Sequence, residues 1–211
     1  MCATVKTDSS FLLNYKKDLD EAFKIYIDDI HPFIVQFEIL KNEFPIEVQN
    51  EIRAMYAHLA RASIATSPER IEENILKIRS HTKRALLDCY KYSCIAFADN
   101  YSAFFERYKG VDLSYLENGT FLSDVHSLYS EAKDKLLKAK EAETVNTDDE
   151  VQFGLYQNAY NKFVALETKL RNAEESANFL KHKAARKEVL AKISFVVGVV
   201  GLVVGLLGII L

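Results

Sequence analysis

The sequence predicts an all-α fold, an elongated helical bundle with a C-terminal single-span transmembrane helix. Three observations carry that expectation. First, 211 residues contain only seven glycines and three prolines, against roughly 12% for the two together in average usage. A chain with so few turn residues is a poor match for sandwiches, barrels and glycine-loop nucleotide-binding folds, which turn often. Second, four of the seven glycines (Gly198, Gly201, Gly205, Gly208) fall in the last 14 residues, so the rest of the chain is poorer still. Third, residues 193–211 contain no charged side chain. The length suits a single domain with a sizeable core. The expected organisation is a cytoplasmic helical body over 1–192 and a membrane anchor over 193–211.

In order, a first helix is expected over about 9–30, stopped near His31 and Pro32, because proline lacks the N–H that a helix interior needs. A second runs over about 33–43 and a third over about 46–64. Ser67 and Pro68 then supply an N-cap and a proline suited to the first helical position. The fourth helix extends to about residue 109, where Gly110 stops it. Its length, near 42 residues, leaves room for a kink. Asn118 followed by Gly119 marks a turn. A fifth helix covers about 121–143. The polar stretch 144–149 reads as a loop in which Asn146 or Thr147 caps a last helix that continues into the tail. The 13 Phe and 11 Tyr residues, at helical spacing, read as core.

The tail holds 14 large apolar residues, four glycines and one serine over 193–211. Nineteen helical residues span roughly 29 Å, about the thickness of a bilayer's hydrocarbon. Residues 181–192 carry a net charge of +4 against −3 for the whole chain. By the positive-inside rule the body then lies on the cytoplasmic side of the membrane. The glycines are spaced 3, 4, 3, and Gly201 and Gly205 form a G-x-x-x-G that lets helix backbones approach within lipid. The same alternation runs back through Ser194, Ala191, Ala184, Leu180, Ala177, Ala173, Leu170, Leu166, Phe163 and Ala159, skipping only at Lys187. One heptad register thus covers 159–208. Two readings fit it. Residues 159–184 pack on their own body, or one continuous helix drives parallel self-association, with Ser194, Gly198, Gly201, Gly205 and Gly208 packing between copies.

A net charge of −3 disfavours sequence-independent binding to phosphate backbones, so direct DNA binding is not expected. Cys89 and Cys94 lie five apart on one helix and face different ways. With Cys2 they form no disulfide framework and no metal-ligand spacing. No metal or cofactor is expected. The distinctive polar feature is a repeated H-x-x-R-A, at His58 to Ala62 and at His81 to Ala85. Within each copy His and Arg share a helix face. Asp88 lies four residues beyond Arg84, where the two can pair. Folding the chain near 64–67 into an antiparallel hairpin brings Arg53 close to His81. A cluster of Arg53, His81, Arg84 and Asp88 follows, with His58 and Arg61 nearer the turn. Such a group suits either a phosphate ligand with His as general acid or base, or a structural network that sets helix register. No Ser-His-Asp order, H-E-x-x-H, nucleotide loop or paired-carboxylate motif accompanies it.

Arg53-Ala-Met-Tyr-Ala-His58 fits the R-x4-6-H pattern of HEPN domains. With an all-helical body and an apolar tail, the chain resembles the small HEPN-like membrane accessory proteins of type VI-B CRISPR systems. The resemblance implies a role in bacterial antiviral defence, homo-oligomers and loss of membrane integrity. Arg53 and His58 are the matching positions. Its implied partners are membrane lipid, further copies of the chain, and an activating protein or RNA-guided complex. The leading expectation is a non-enzymatic, membrane-anchored homo-oligomer that perturbs or permeabilises the inner membrane. A membrane-tethered HEPN-type ribonuclease, with Arg53 and His58 as candidate catalytic residues, and a tail-anchored scaffold are the alternatives.

Overall fold

The computed structural model describes residues 14–145 and 149–210, and the side chains of Leu40 and residues 201–210 lie outside that description. The described residues form six α-helices and no strand. These are α1 (Lys16–Ile25), α2 (His31–Lys41), α3 (Ile46–Ile64), α4 (Pro68–Arg107), α5 (Phe121–Thr144) and α6 (Asp149–Ile210). The chain divides into two compact units, Met1–Ile95 with Lys135–Tyr160, and Ala96–Asp134 with Asn161–Leu211. The helices α4, α5 and α6 each contribute a segment to both.

In the first unit the helices bury rows spaced three and four apart. Val48, Ile52, Met55 and Ala62 are buried on α3, and Ile71, Ile75, Ile78, Thr82, Ala85 and Cys89 on α4. These two rows close against Leu19 and Ala22 of α1 at one end and against Ile30 and Ile34 at the other. Burying each large aliphatic side chain contributes about 1.5–3 kcal/mol, which makes the α3–α4 hairpin the scaffold of this unit.

His31 and Pro32 do not stop the chain as expected. A π turn, Tyr26–Ile30, joins α1 directly to α2, and Pro32 occupies the first turn of the latter. Across it His31 N–H donates to Tyr26 O, five residues back, so the helix re-registers instead of ending. Asn42 ends α2 in the left-handed region (φ 53°) and donates its N–H to Glu38 O at 2.9 Å, a common C-terminal solution. Ser67 caps α4 as expected, its Oγ accepting from Arg70 N at 3.4 Å. The helix then runs 40 residues without interruption. Gly110 (φ 79°) turns the chain after it. The turn expected at Asn118 and Gly119 is sharper than a dipeptide signal, since Glu117, Asn118 and Gly119 all have positive φ. The expected cap at Asn146 or Thr147 lies outside the described residues.

In the second unit Phe104 of α4, Tyr108 just after it, Phe121, Val125 and Ala132 of α5, and Phe163, Leu166, Leu170, Ala173 and Ala177 of α6 are buried. Of the long heptad register, Ala159 through Ala177 therefore packs inside its own chain. The helix is nonetheless continuous, 62 residues to Ile210.

The expected transmembrane tail is corrected. Among the described residues no helix is long and apolar enough to cross a membrane. The described side chains of the apolar run extend over 193–200, roughly 12 Å of helix and less than half of a bilayer core. The turns before it carry Lys183, Arg186, Lys187, Glu188 and Lys192. Ser194 and Gly198 lie on this exposed stretch. The side-chain surroundings of Gly201, Gly205 and Gly208, expected to pack between copies, lie outside the described residues.

Candidate functional site

Two polar regions stand out, one in each unit. The first is the flank of the α3–α4 hairpin. Once Val48, Ile52, Met55 and Ala62 face inward, Glu51 and His58, seven residues apart, fall together beside that row. Across the hairpin, Asn74, His81 and Arg84 of α4 meet them. The imidazoles of His58 and His81 stack with ring centroids 5.2 Å apart and planes inclined by 22°. His58 Nδ1 lies 2.9 Å from Asn74 Oδ1. Asn74 Nδ2 donates to Arg70 O at 2.6 Å, which fixes the amide so that its oxygen faces His58. His58 Nδ1 must therefore carry the proton and donate.

His81 Nδ1 lies 2.6 Å from Glu51 Oε2 and 3.0 Å from Arg84 Nη2. One ring nitrogen cannot donate to the carboxylate and accept from the guanidinium at once. The shorter, charge-assisted partner wins, so Nδ1–H donates to Glu51, and Arg84 is held through Nε, 3.4 Å from the same Glu51 oxygen. Both imidazoles thus commit Nδ1 to these contacts. Beneath them the buried Thr82 hydroxyl donates to Ile78 O at 2.9 Å.

This arrangement differs in membership from the cluster expected from sequence. His81, Arg84 and His58 do come together. Arg53 does not join them. It is exposed and makes no hydrogen bond or ion pair among the described residues. Positions five apart on a helix differ by about 140°, so Arg53 faces away from His58. Arg61 is likewise exposed. Asp88 is half-buried and pairs with neither Arg84 nor His81. Burial pushes its carboxyl above the usual range, Lys91 opposes this, and Glu51, Glu47 and Glu143 add to it. The sequence reading missed Glu51 and Asn74. The signal for Glu51 was its seven-residue offset from His58, which puts both on one stripe.

A cavity of about 310 Å³ adjoins the cluster, walled by Glu51, Lys83, Arg84, Asp88, Lys91 and Phe153 among others, but by neither imidazole. Its bases are engaged. Lys83 pairs with Glu150, and Lys91 with Glu143 at 2.6 Å. Among the described residues no three His, Cys, Asp or Glu side chains are placed to hold a metal ion. Cys89 and Cys94 are free and buried. Burial pushes the Cys94 thiol up to about 12, with Lys140 opposing, and raises that of Cys89 further, so neither is an available thiolate. The hairpin cluster therefore binds α3 to α4 through its own side chains, with a tautomer-ordered histidine pair at its centre.

The second region is the outer length of α6. Within its unit α6 is fastened by Lys169 to Glu117 at 2.6 Å and Asp124 at 2.9 Å. Tyr108 Oη donates to Asn178 Oδ1 at 2.8 Å, and Lys181 Nζ donates to Arg107 O at 2.8 Å. From residue 181 to residue 200 every described side chain is exposed. Leu190, Ile193, Phe195, Val196, Val197, Val199 and Val200 are among them, with Phe195 at 73%. Isolated surface leucines need no explanation, but a run of this length does. No family model matches the chain, and no curated protein or solved structure matches it.

Proposed function

We propose that the protein is a non-enzymatic, self-assembling effector or accessory protein of bacterial antiviral defence that perturbs the inner membrane from its cytoplasmic surface. The observation that carries the membrane role is the exposed apolar length of α6 over 193–200, set directly after a basic stretch. Apolar side chains around a whole helix circumference need lipid or another copy to cover them. The antiviral setting is supported by the R-x4-H resemblance alone. In this reading the body receives an activating protein or RNA-guided complex, and the outer length of α6 assembles and enters the headgroup boundary without needing to span. The test is dye release from lipid vesicles. Wild-type protein should release dye, and Val196→Glu with Val200→Glu should reduce release about tenfold or more, since each valine loses about 1.5–3 kcal/mol of apolar burial. Absence of release in both proteins sinks the proposal.

The hydrogen-bonded pair His81–Glu51 favours a second reading, a HEPN-type ribonuclease with His58 or His81 as the proton-transfer group. It requires RNA cleavage by the purified chain that His58→Ala abolishes.

A further inference from the structure

We propose that the second unit carries a seat for the headgroup of an anionic phospholipid, in the groove between the segment following α4 and the outer part of α6. It rests on the membrane-surface reading above and names the lipid. The groove has a volume of about 360 Å³, and its walls include Val111, Tyr115, Leu180, Lys183, Ala184 and Lys187. Lys183 and Lys187 are one helical turn apart and therefore share a side of α6. Neither has a carboxylate partner among the described residues, and Arg186 between them has none either.

Several neighbouring charged groups already have partners. Asp112, the one acid in the groove, accepts from Ser114 N at 3.0 Å and from Ser114 Oγ at 2.5 Å, and the Ser114 hydroxyl holds its carboxyl below the usual range. Lys181 donates to Arg107 O. Lys192 pairs with Glu188 at 2.7 Å. Lys183 and Lys187 thus bring two cations without a carboxylate partner among the described residues to the groove. Val111, Leu180 and Ala184 give it an apolar floor, and Tyr115, 74% exposed, gives it an amphipathic rim.

The order along α6 selects the occupant. A cationic groove comes first, and an exposed apolar length over 193–200 follows within two turns. An anionic bilayer offers the same order, phosphates above and acyl chains below. A free phosphate satisfies the lysines but covers no apolar surface. A second copy packed in parallel offers the groove no anion, since it brings its own Lys183, Arg186 and Lys187 to the same level.

The experiment is flotation of the full chain with vesicles of phosphatidylcholine alone and of phosphatidylcholine containing phosphatidylglycerol. Wild type should prefer the anionic vesicles, and the preference should fall with added salt. Each lysine at an anionic surface is worth about fivefold in partitioning, so Lys183→Gln with Lys187→Gln should lose about 30-fold. Tyr115→Ala should weaken binding several-fold while leaving the salt dependence intact, which a diffuse basic patch does not predict. Lys77→Gln with Lys109→Gln, neutral changes outside the groove, should bind as wild type. All variants should match wild type in circular dichroism. Equal binding to both vesicle types, wild-type binding by the Lys183/Lys187 variant, or displacement by inorganic phosphate beyond its ionic-strength effect each overturns the proposal. Dye release from neutral vesicles that persists in the Lys183/Lys187 variant overturns the headgroup seat and leaves the perturbing role standing. Selective binding without dye release does the reverse.

Discussion

Glu51 does the most at the scale of single residues, because one carboxylate oxygen receives both His81 Nδ1 and Arg84 Nε. Glu51→Gln keeps the shape but removes the charge, and it should cost about 1–3 kcal/mol, the range for charge-assisted hydrogen bonds, read by urea denaturation. Arg53→Ala, by contrast, should change stability by less than about 0.5 kcal/mol, as exposed residues without partners do. Two carboxyls make opposite predictions for pH. The Asp88 carboxyl is raised in the folded state, so the native protein holds its proton over a window where the unfolded chain has lost it. Stability then falls as pH rises through that window. Asp88→Asn should therefore stabilise at neutral pH and change little at acid pH. Glu143 is lowered by hydrogen bonds from Lys91 and Tyr156. Its contribution is present above its unfolded pKa and disappears as pH falls through the folded one, so Glu143→Gln should destabilise at neutral pH with the deficit vanishing in acid. Urea midpoints of both variants at neutral and acid pH check the pair of signs.

For the elements, most of the helices were legible in the sequence because their ends are chemical. Ser67 and Pro68 start α4, and Gly110 follows its end. At Gly110 the φ of 79° is the reason for glycine. A Cβ there meets nothing within 4 Å, so Gly110→Ala should cost about 1–2 kcal/mol from backbone conformation alone, measurable as a lower thermal midpoint. The boundary that misled was His31–Pro32. A proline excludes one hydrogen bond locally, but whether the chain breaks or shifts register depends on what lies on both sides. Here Leu19 and Ala22 before the π turn, and Ile30 and Ile34 within and after it, pack on one hairpin. That shared packing favours a π turn over a break.

Over the whole molecule, α6 changes role along its length. The register positions from Ala159 to Ala177 are buried and residues from 181 to 200 are exposed, although one heptad register runs through both. Ending the chain after Ala184 should therefore leave the thermal midpoint within about 2 °C of the full protein, a shift that corresponds to about 0.5–1 kcal/mol for a chain this long. It should also abolish dye release and vesicle binding. A large loss of stability would show that the outer length of α6 folds back onto the body.

The sequence by itself determined that the chain is helical and where most helices begin and end, because glycine scarcity, caps and three-four spacing act through neighbours along the chain. It also placed His81 and Arg84 in one polar cluster, with His58 set nearer the turn. Only the tertiary structure decided their partners. Glu51 displaced Arg53 and Asp88 because helix rotation, set by which apolar row is buried, chooses the face that meets the next helix. The same holds for the glycine-striped tail. Periodicity places residues on a stripe, but what covers the stripe depends on how far the body extends along the helix. The body reaches Lys181, and the described apolar turns beyond it are too short to cross a bilayer.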